Sequence, residues 1–283
     1  MKYDLAAMAA RAKPGRRKQI VLRDIPPPAM LAQSLFARAY RPMLERWNAR
    51  IPAIVAEYER TLSAMTTDSP ADLQAQLDAA SSDMERLFIL LDAAVRDWAL
   101  QTEKWSREAW RGAVLSATGV DLDVMLGPAD VRETLQSYIG WNVRLIRDVS
   151  AQAGKRIGDA VFAGLQNRTP AREVAAQIQE AMGMSRRRAL GIASDQLSKV
   201  TSALADERRR EAGLSVWKWR HSQKKHPRED HLARNGHLYA DDPAMVGKTV
   251  DGVVVEEAPD QENRPGRKPF CGCRGQGVLV WSD

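Results

Sequence analysis

The strongest constraint on this chain is a seven-residue repeat of apolar side chains. Leu77, Met84, Leu91, Trp98 and Trp105 fall seven apart, and Leu73, Ala80, Leu87 and Ala94 take the alternate seam positions. A strand sends every second residue to one face, so only a helix aligns such a set. The stripe is read first as one wall of a helix-bundle core. Its other reading is a seam for a second copy of the chain, self-association through the 77–105 stripe.

Helical spacing extends well beyond this stripe. Leu31, Leu35, Phe36, Ala39, Met43, Leu44 and Trp47 recur every three or four residues, with Pro42 and Pro52 expected to kink or split the run. Ser69-Pro70 reads as a cap with a first-turn proline. Gly112 to Gly119 interrupts the pattern and is taken as a domain boundary. From Gly127-Pro128 a further helix carries Val131, Leu135, Ile146, Val149, Ile157 and Val161 on one face. Thr169-Pro170 opens a short helix expected to end at Gly183, Ser185 caps another, and Gly213 stops it. After Gly213 the texture becomes strand-like. Val216, Trp217 and Trp219 suggest one strand, Asp251-Gly252 a tight hairpin turn, and Val278 to Trp281 a last strand.

The expected fold is therefore mainly α, a multi-helix body with a small C-terminal α+β module of short strands and a long loop. The expected divisions are a basic flexible arm over 1–28, a helical region over 29–115, a second helical region over 116–212 and the module over 213–283. An apolar fraction of 44% supports a real core, and no run of eighteen apolar residues predicts a membrane span. The net charge of +6 permits an acidic partner without demanding one. Much of it lies in the arm, at Arg11, Lys13, Arg16, Arg17, Lys18 and Arg23. That arm reads either as a solvated tail or as a segment lying on DNA or on an acidic protein face. The apolar triplet Ile20-Val21-Leu22 beside the basic run inclines the second reading toward a protein partner.

All four histidines and both cysteines lie between His221 and Cys273. Two cysteines do not make a disulfide framework. With two histidines they would complete a tetrahedral zinc site, a structural zinc tying a polar loop to a small strand module. The alternative is that the histidine side holds the loop by hydrogen bonds and the cysteines are small buried apolar groups. Enzyme signatures are missing. There is no Cys-x-x-Cys with His-x-Glu for a deaminase and no His-Glu-x-x-His for a zincin. The remaining enzyme alternative is a nuclease-like, nucleic-acid-processing activity with His231 as base and Arg228 as phosphate holder. The reading favours binding over catalysis.

Trp219, Pro227-Arg228, His231, Asn235-Gly236 and the distal Cys271-Gly272-Cys273 occur in an order that resembles the phage head morphogenesis domain, the minor head proteins of the phage Mu F type. Trp141-Asn142, Thr169-Pro170 and Ser185 to Ala189 are similar to that family's helical lead-in, so the resemblance covers roughly 140–280. Two departures stand out. Gly272 lies between the cysteines where the family usually has Arg, and His226 and His237 are outside the pattern. The resemblance implies a low-copy component of the virion head, assembled in the host cytoplasm, with portal or major capsid protein as partner and DNA as a further one. It also orders the metal candidates: His231, Cys271 and Cys273 first, then His226 or His221.

Overall fold

The computed structural model describes residues 2–12, 19–64 and 69–281, with the side chains of 69 and 70 excepted. The expected Ser69 cap and the arm residues Lys13, Arg16, Arg17 and Lys18 lie outside the described part. The fold is mainly α with a small C-terminal sheet. Its helices are α1 (Leu5–Ala12), α2 (Ala29–Leu35), α3 (Arg41–Ala64), α4 (Ser69–Thr118), α5 (Arg132–Gln166), α6 (Ala171–Glu211) and α7 (Glu229–Ala233). Its strands are β1 (Gln19–Val21), β2 (Val216–Arg220), β3 (Leu238–Ala240), β4 (Thr249–Val250), β5 (Val253–Glu257) and β6 (Arg274–Val280).

Contacts divide the chain into two compact units, each discontinuous in sequence. One gathers 32–98 and 138–193, the other 99–137, 194–283 and the described part of 1–31. The described elements of the first are all helical. Trp47, Tyr58, Leu73, Met84, Ile146, Val149, Ile157 and Ile178 are buried there, and the Trp47 indole donates to Ser150 Oγ at 2.9 Å. Leu73, Leu77, Ala80, Met84, Leu91 and Trp98 are all buried in the chain itself. Most of the stripe is thus core wall, while Leu87, Ala94 and Trp105 are half-buried.

Several sequence breaks turn out to be packing features. Helix α4 runs straight through Gly112. A Cβ there would lie 2.9 Å from the Arg23 guanidinium, so this glycine makes room for an arginine and marks no boundary. Helix α6 likewise runs through Gly183 and Ser185 as one 41-residue helix. Ser185 is buried and its hydroxyl donates to the Ala181 carbonyl one turn back, so it is not a cap. Pro52 sits within α3 without ending it. Pro42 follows a wide π-helical turn, Phe36–Tyr40, where the hydrogen-bond ladder changes register.

The second unit holds the sheet, in the order β1-β6-β2-β3-β5-β4. Among the described residues, only the β3–β5 pairing is parallel. The expected hairpin is present: Val250 pairs with Val253 across Asp251-Gly252, both at positive φ (53° and 73°). Strand β2 is buried on both faces. Val216 joins a cluster with Leu238, Val250, Val255 and Val278. Trp217 and Trp219 face the other way, onto Tyr239, Cys271 and Cys273.

The flexible-arm expectation is corrected over its described residues. Lys2 and Tyr3 donate backbone N–H groups to Glu211, at the end of α6. Leu5, Ala9 and Leu22 are buried among Trp110, Leu122 and Leu279. Strand β1 pairs antiparallel with β6, and Asp24 forms an ion pair with Arg274 at 2.5 Å. The apolar triplet is therefore largely spent at home, since Leu22 is 1% exposed, and it no longer argues for a protein partner. Arg11 and Arg23 are exposed, and Arg23 donates to the Ala109 carbonyl.

Candidate metal centre

The site is built where α7, the C-terminal end of β2 and the loop leading into β6 meet. Helix α7 is short. Glu229 and Asp230 in its first turn complement the positive helix end, and His231 follows on its inner face, 2% exposed. Gly236 returns the chain at φ 92° so that its N–H reaches the Trp219 carbonyl. Asn235 Oδ1 accepts from the His221 N–H at 3.0 Å, which closes this turn against β2.

The facing wall is the loop between β5 and β6. It is polar, and arginine–carbonyl contacts hold it in place of an apolar core. Arg228 donates to Pro269, Lys224 to Phe270 and Arg234 to Asn263. The Phe270 N–H donates to Asp195, a buried carboxylate on α6. Gly266 packs directly on α6; a Cβ there would sit 2.2 Å from Ser202 Oγ. These contacts deliver Cys271 and Cys273 to the start of β6, both buried and both free thiols.

His231 Nδ1 lies 3.4 Å from Cys271 Sγ and 3.7 Å from Cys273 Sγ. The three donor atoms all fall within 4.8 Å of one another. The imidazole stands edge-on to Trp219, with centroids 5.1 Å apart. His231 Nε2 is buried without a hydrogen bond, and the nearest carboxylate is Asp230 Oδ2 at 3.7 Å. A hydrogen bond from Cys273 is the main cause that brings Cys271 down to about 5, and burial opposes it. The Cys273 thiol is pushed up, first by holding that proton beside a Cys271 thiolate and then by burial. Backbone N–H groups of Cys273 and Gly266 face Cys271, and that of Ser222 faces Cys273. Asp230 is held below the usual carboxylate range: burial pushes it up, but His231 and Lys268 outweigh that. A His/Cys/Cys group of this kind could hold a metal ion.

The structure thus brings together His231, Cys271 and Cys273, with Trp219 as their floor. The other candidates stand apart. His221 is buried, but its Nδ1 accepts from the Gln223 N–H. His226 and Pro227 are exposed in the connecting loop. His237 is exposed and pairs with Glu256 at 2.7 Å. Arg228 is a loop clamp, and His231 is buried facing sulfur, which leaves the nuclease-like base without access to a polynucleotide. Sequence reading missed Asp195, Gly266 and Asp230, and reached Asn235 only as part of the family motif. Asp195 sits in a helix with nothing around it to mark a buried carboxylate. Asn235-Gly236 carried the only usable signal, as a turn dipeptide.

Residues 155–275 match the family described as Phage Mu protein F like protein. The match starts within α5, takes in all of α6 and ends at the second residue of β6, so it includes every member of the His/Cys/Cys group. A Haemophilus influenzae strain Rd protein bearing only the name "Uncharacterized protein" is 30% identical over 130 residues, 45% of this chain and 29% of that protein. The chain thus spans under a third of that relative's length. No solved structure matches the chain.

Proposed function

We propose, from the premise that residues 155–275 carry a domain of the Phage Mu protein F like family, a phage head-related family, that this protein is a minor head protein of a bacteriophage. It would reside in the virion head, enter it during assembly in the host cytoplasm, and act by binding portal or major capsid protein. Contact with packaged DNA is a further part of this reading. The observation that carries the reading is the coincidence of the family match with one structural feature: the long helix α6 and the His/Cys module at its end. A structural zinc ion held in that module belongs to the same reading.

Two features of the surface support a binding role. Lys224, Lys225 and Arg228 are exposed in one loop, and none of them forms an ion pair among the described residues. Phe270, at φ 57°, is 58% exposed, and Lys224 and Arg228 donate to the carbonyls of Phe270 and Pro269. Unneutralised cations around an exposed aromatic ring suit an acidic protein face or phosphate. Among the described residues, no helix is long and apolar enough to cross a membrane.

The test is protein composition. Purified proheads and mature particles of the phage that encodes the chain should contain it at a few copies per particle. A deletion should lower the yield of filled heads. Absence from both proheads and particles would sink the reading. Retention of DNA by the purified protein across a salt series separates DNA contact from protein contact, because phosphate contacts give the steeper salt dependence.

A further inference from the structure

We infer that His231 Nδ1, Cys271 Sγ and Cys273 Sγ are the three chain ligands of one zinc ion, and that a water molecule from outside the chain fills its fourth position. This deepens the structural-zinc part of the reading above and rests on it; it does not depend on the role in the head.

Geometry carries the inference. Zinc–sulfur and zinc–nitrogen bonds of about 2.3 and 2.0 Å at a tetrahedral angle put nitrogen and sulfur about 3.5 Å apart. The observed separations of 3.4 and 3.7 Å bracket that value. A chain that only buried a histidine and two thiols would not need both sulfurs to converge on one ring nitrogen. The same ring leaves Nε2 buried without a hydrogen bond. With Nδ1 on a metal, Nε2 must carry the proton, and the carboxylate at 3.7 Å is Asp230. Metal-bound histidines commonly hand that second N–H to a carboxylate, which fixes the ring's tautomer and direction. Asp230 is the carboxylate that would take this N–H as the positioning residue, once metal binding closes the 3.7 Å gap to hydrogen-bond length.

Charge and softness select the ion. Two thiolates and one imidazole around a divalent cation sum to zero, which suits a site whose three ligand residues are 2–3% exposed. Thiolate donors favour zinc over magnesium, calcium or manganese. Backbone N–H groups of Cys273, Gly266 and Ser222 directed at the sulfurs spread the thiolate charge. Among the described residues no further His, Cys, Asp or Glu donor joins the group. His221 spends its Nδ1 on Gln223, and His226 and His237 face solvent. The fourth ligand is accordingly exogenous, and water, being neutral, keeps the balance.

The full-length chain should purify with one zinc per molecule by elemental analysis. Replacing zinc by cobalt(II) should give the visible bands of four-coordinate cobalt and a near-ultraviolet thiolate-to-cobalt band. Adding imidazole should shift the visible bands, because water can be displaced. Cys271→Ser and Cys273→Ser should each remove or weaken the thiolate band, with helical circular dichroism as the control for folding. Asp230→Asn leaves every ligand in place and should weaken zinc binding about tenfold. His221→Ala and His226→Ala should leave zinc content and spectrum unchanged. Bands indifferent to imidazole and altered in His221→Ala would overturn the open fourth position while keeping a structural zinc. No bound zinc, and no cobalt spectrum in the wild-type chain, would overturn both, leaving the presence of the protein in heads to its own test.

Discussion

The two compact units reach order by different means. The helical unit, 32–98 with 138–193, is held by apolar side chains repeating at helical spacing along four long segments. The sheet unit has strands of two to seven residues and a long loop whose hold is mostly arginine, lysine and carboxylate contacts. The sheet unit has apolar clusters too, around Trp110, Leu122 and Leu279 and around Val216 and Val255, but its site loop is held at a few points: the tryptophan pair on β2, the glycine seat on α6 and the His/Cys/Cys group. The lesson is that periodicity builds a scaffold, whereas a site needs particular atoms at particular distances.

The largest expected effect tests the first half of this comparison. Trp47→Ala removes a side chain 2% exposed and orphans Ser150. It should cost about 3–5 kcal/mol, read by denaturant unfolding; a loss under 1 kcal/mol would show that the helical unit does not depend on its core as described. Next comes Leu22→Ala, which should cost about 2–4 kcal/mol if the N-terminal segment is truly part of the sheet unit. A cost near zero would return 1–28 to a detached arm.

Gly266→Ala probes the concentrated mode of order. The residue is at φ 77° and its added Cβ would collide with Ser202 Oγ. A cost of about 2 kcal/mol is expected, with faster hydrogen exchange along 258–273. Asp24→Asn should have a smaller effect with a pH signature. Burial pushes Asp24 up, but its hydrogen-bonded ion pair with Arg274 outweighs this and leaves its folded pKa below the ordinary value. Its stabilisation is then present above the unfolded pKa of about 4 and lost as pH falls through the lower, folded one. Wild type should lose β1 protection over that acid window, and the variant should lack that component. An identical acid profile in both would remove the pair from the account. The smallest effect is His226→Ala, within about 0.5 kcal/mol, because the residue is exposed and outside the His/Cys/Cys group. A large loss there would mean that the connecting loop has a structural role not visible in its contacts.

The sequence by itself determined the helical class, the core wall along α4, the Asp251-Gly252 hairpin, the stop at Gly213 and the His231, Cys271 and Cys273 set named through the family resemblance. Periodicity and turn chemistry are local, so they survive without coordinates. The tertiary structure alone decided what the glycines at 112 and 266 are for, why α6 continues through Ser185, and that the N-terminal segment is a strand and helix of the sheet unit. It also chose among the histidines. Spacing along the chain cannot tell the buried ring of His231, aimed at two sulfurs, from the exposed rings of His226 and His237 nearby. That distinction depends on contacts between residues some forty positions apart, and only the packed chain brings them within bonding range.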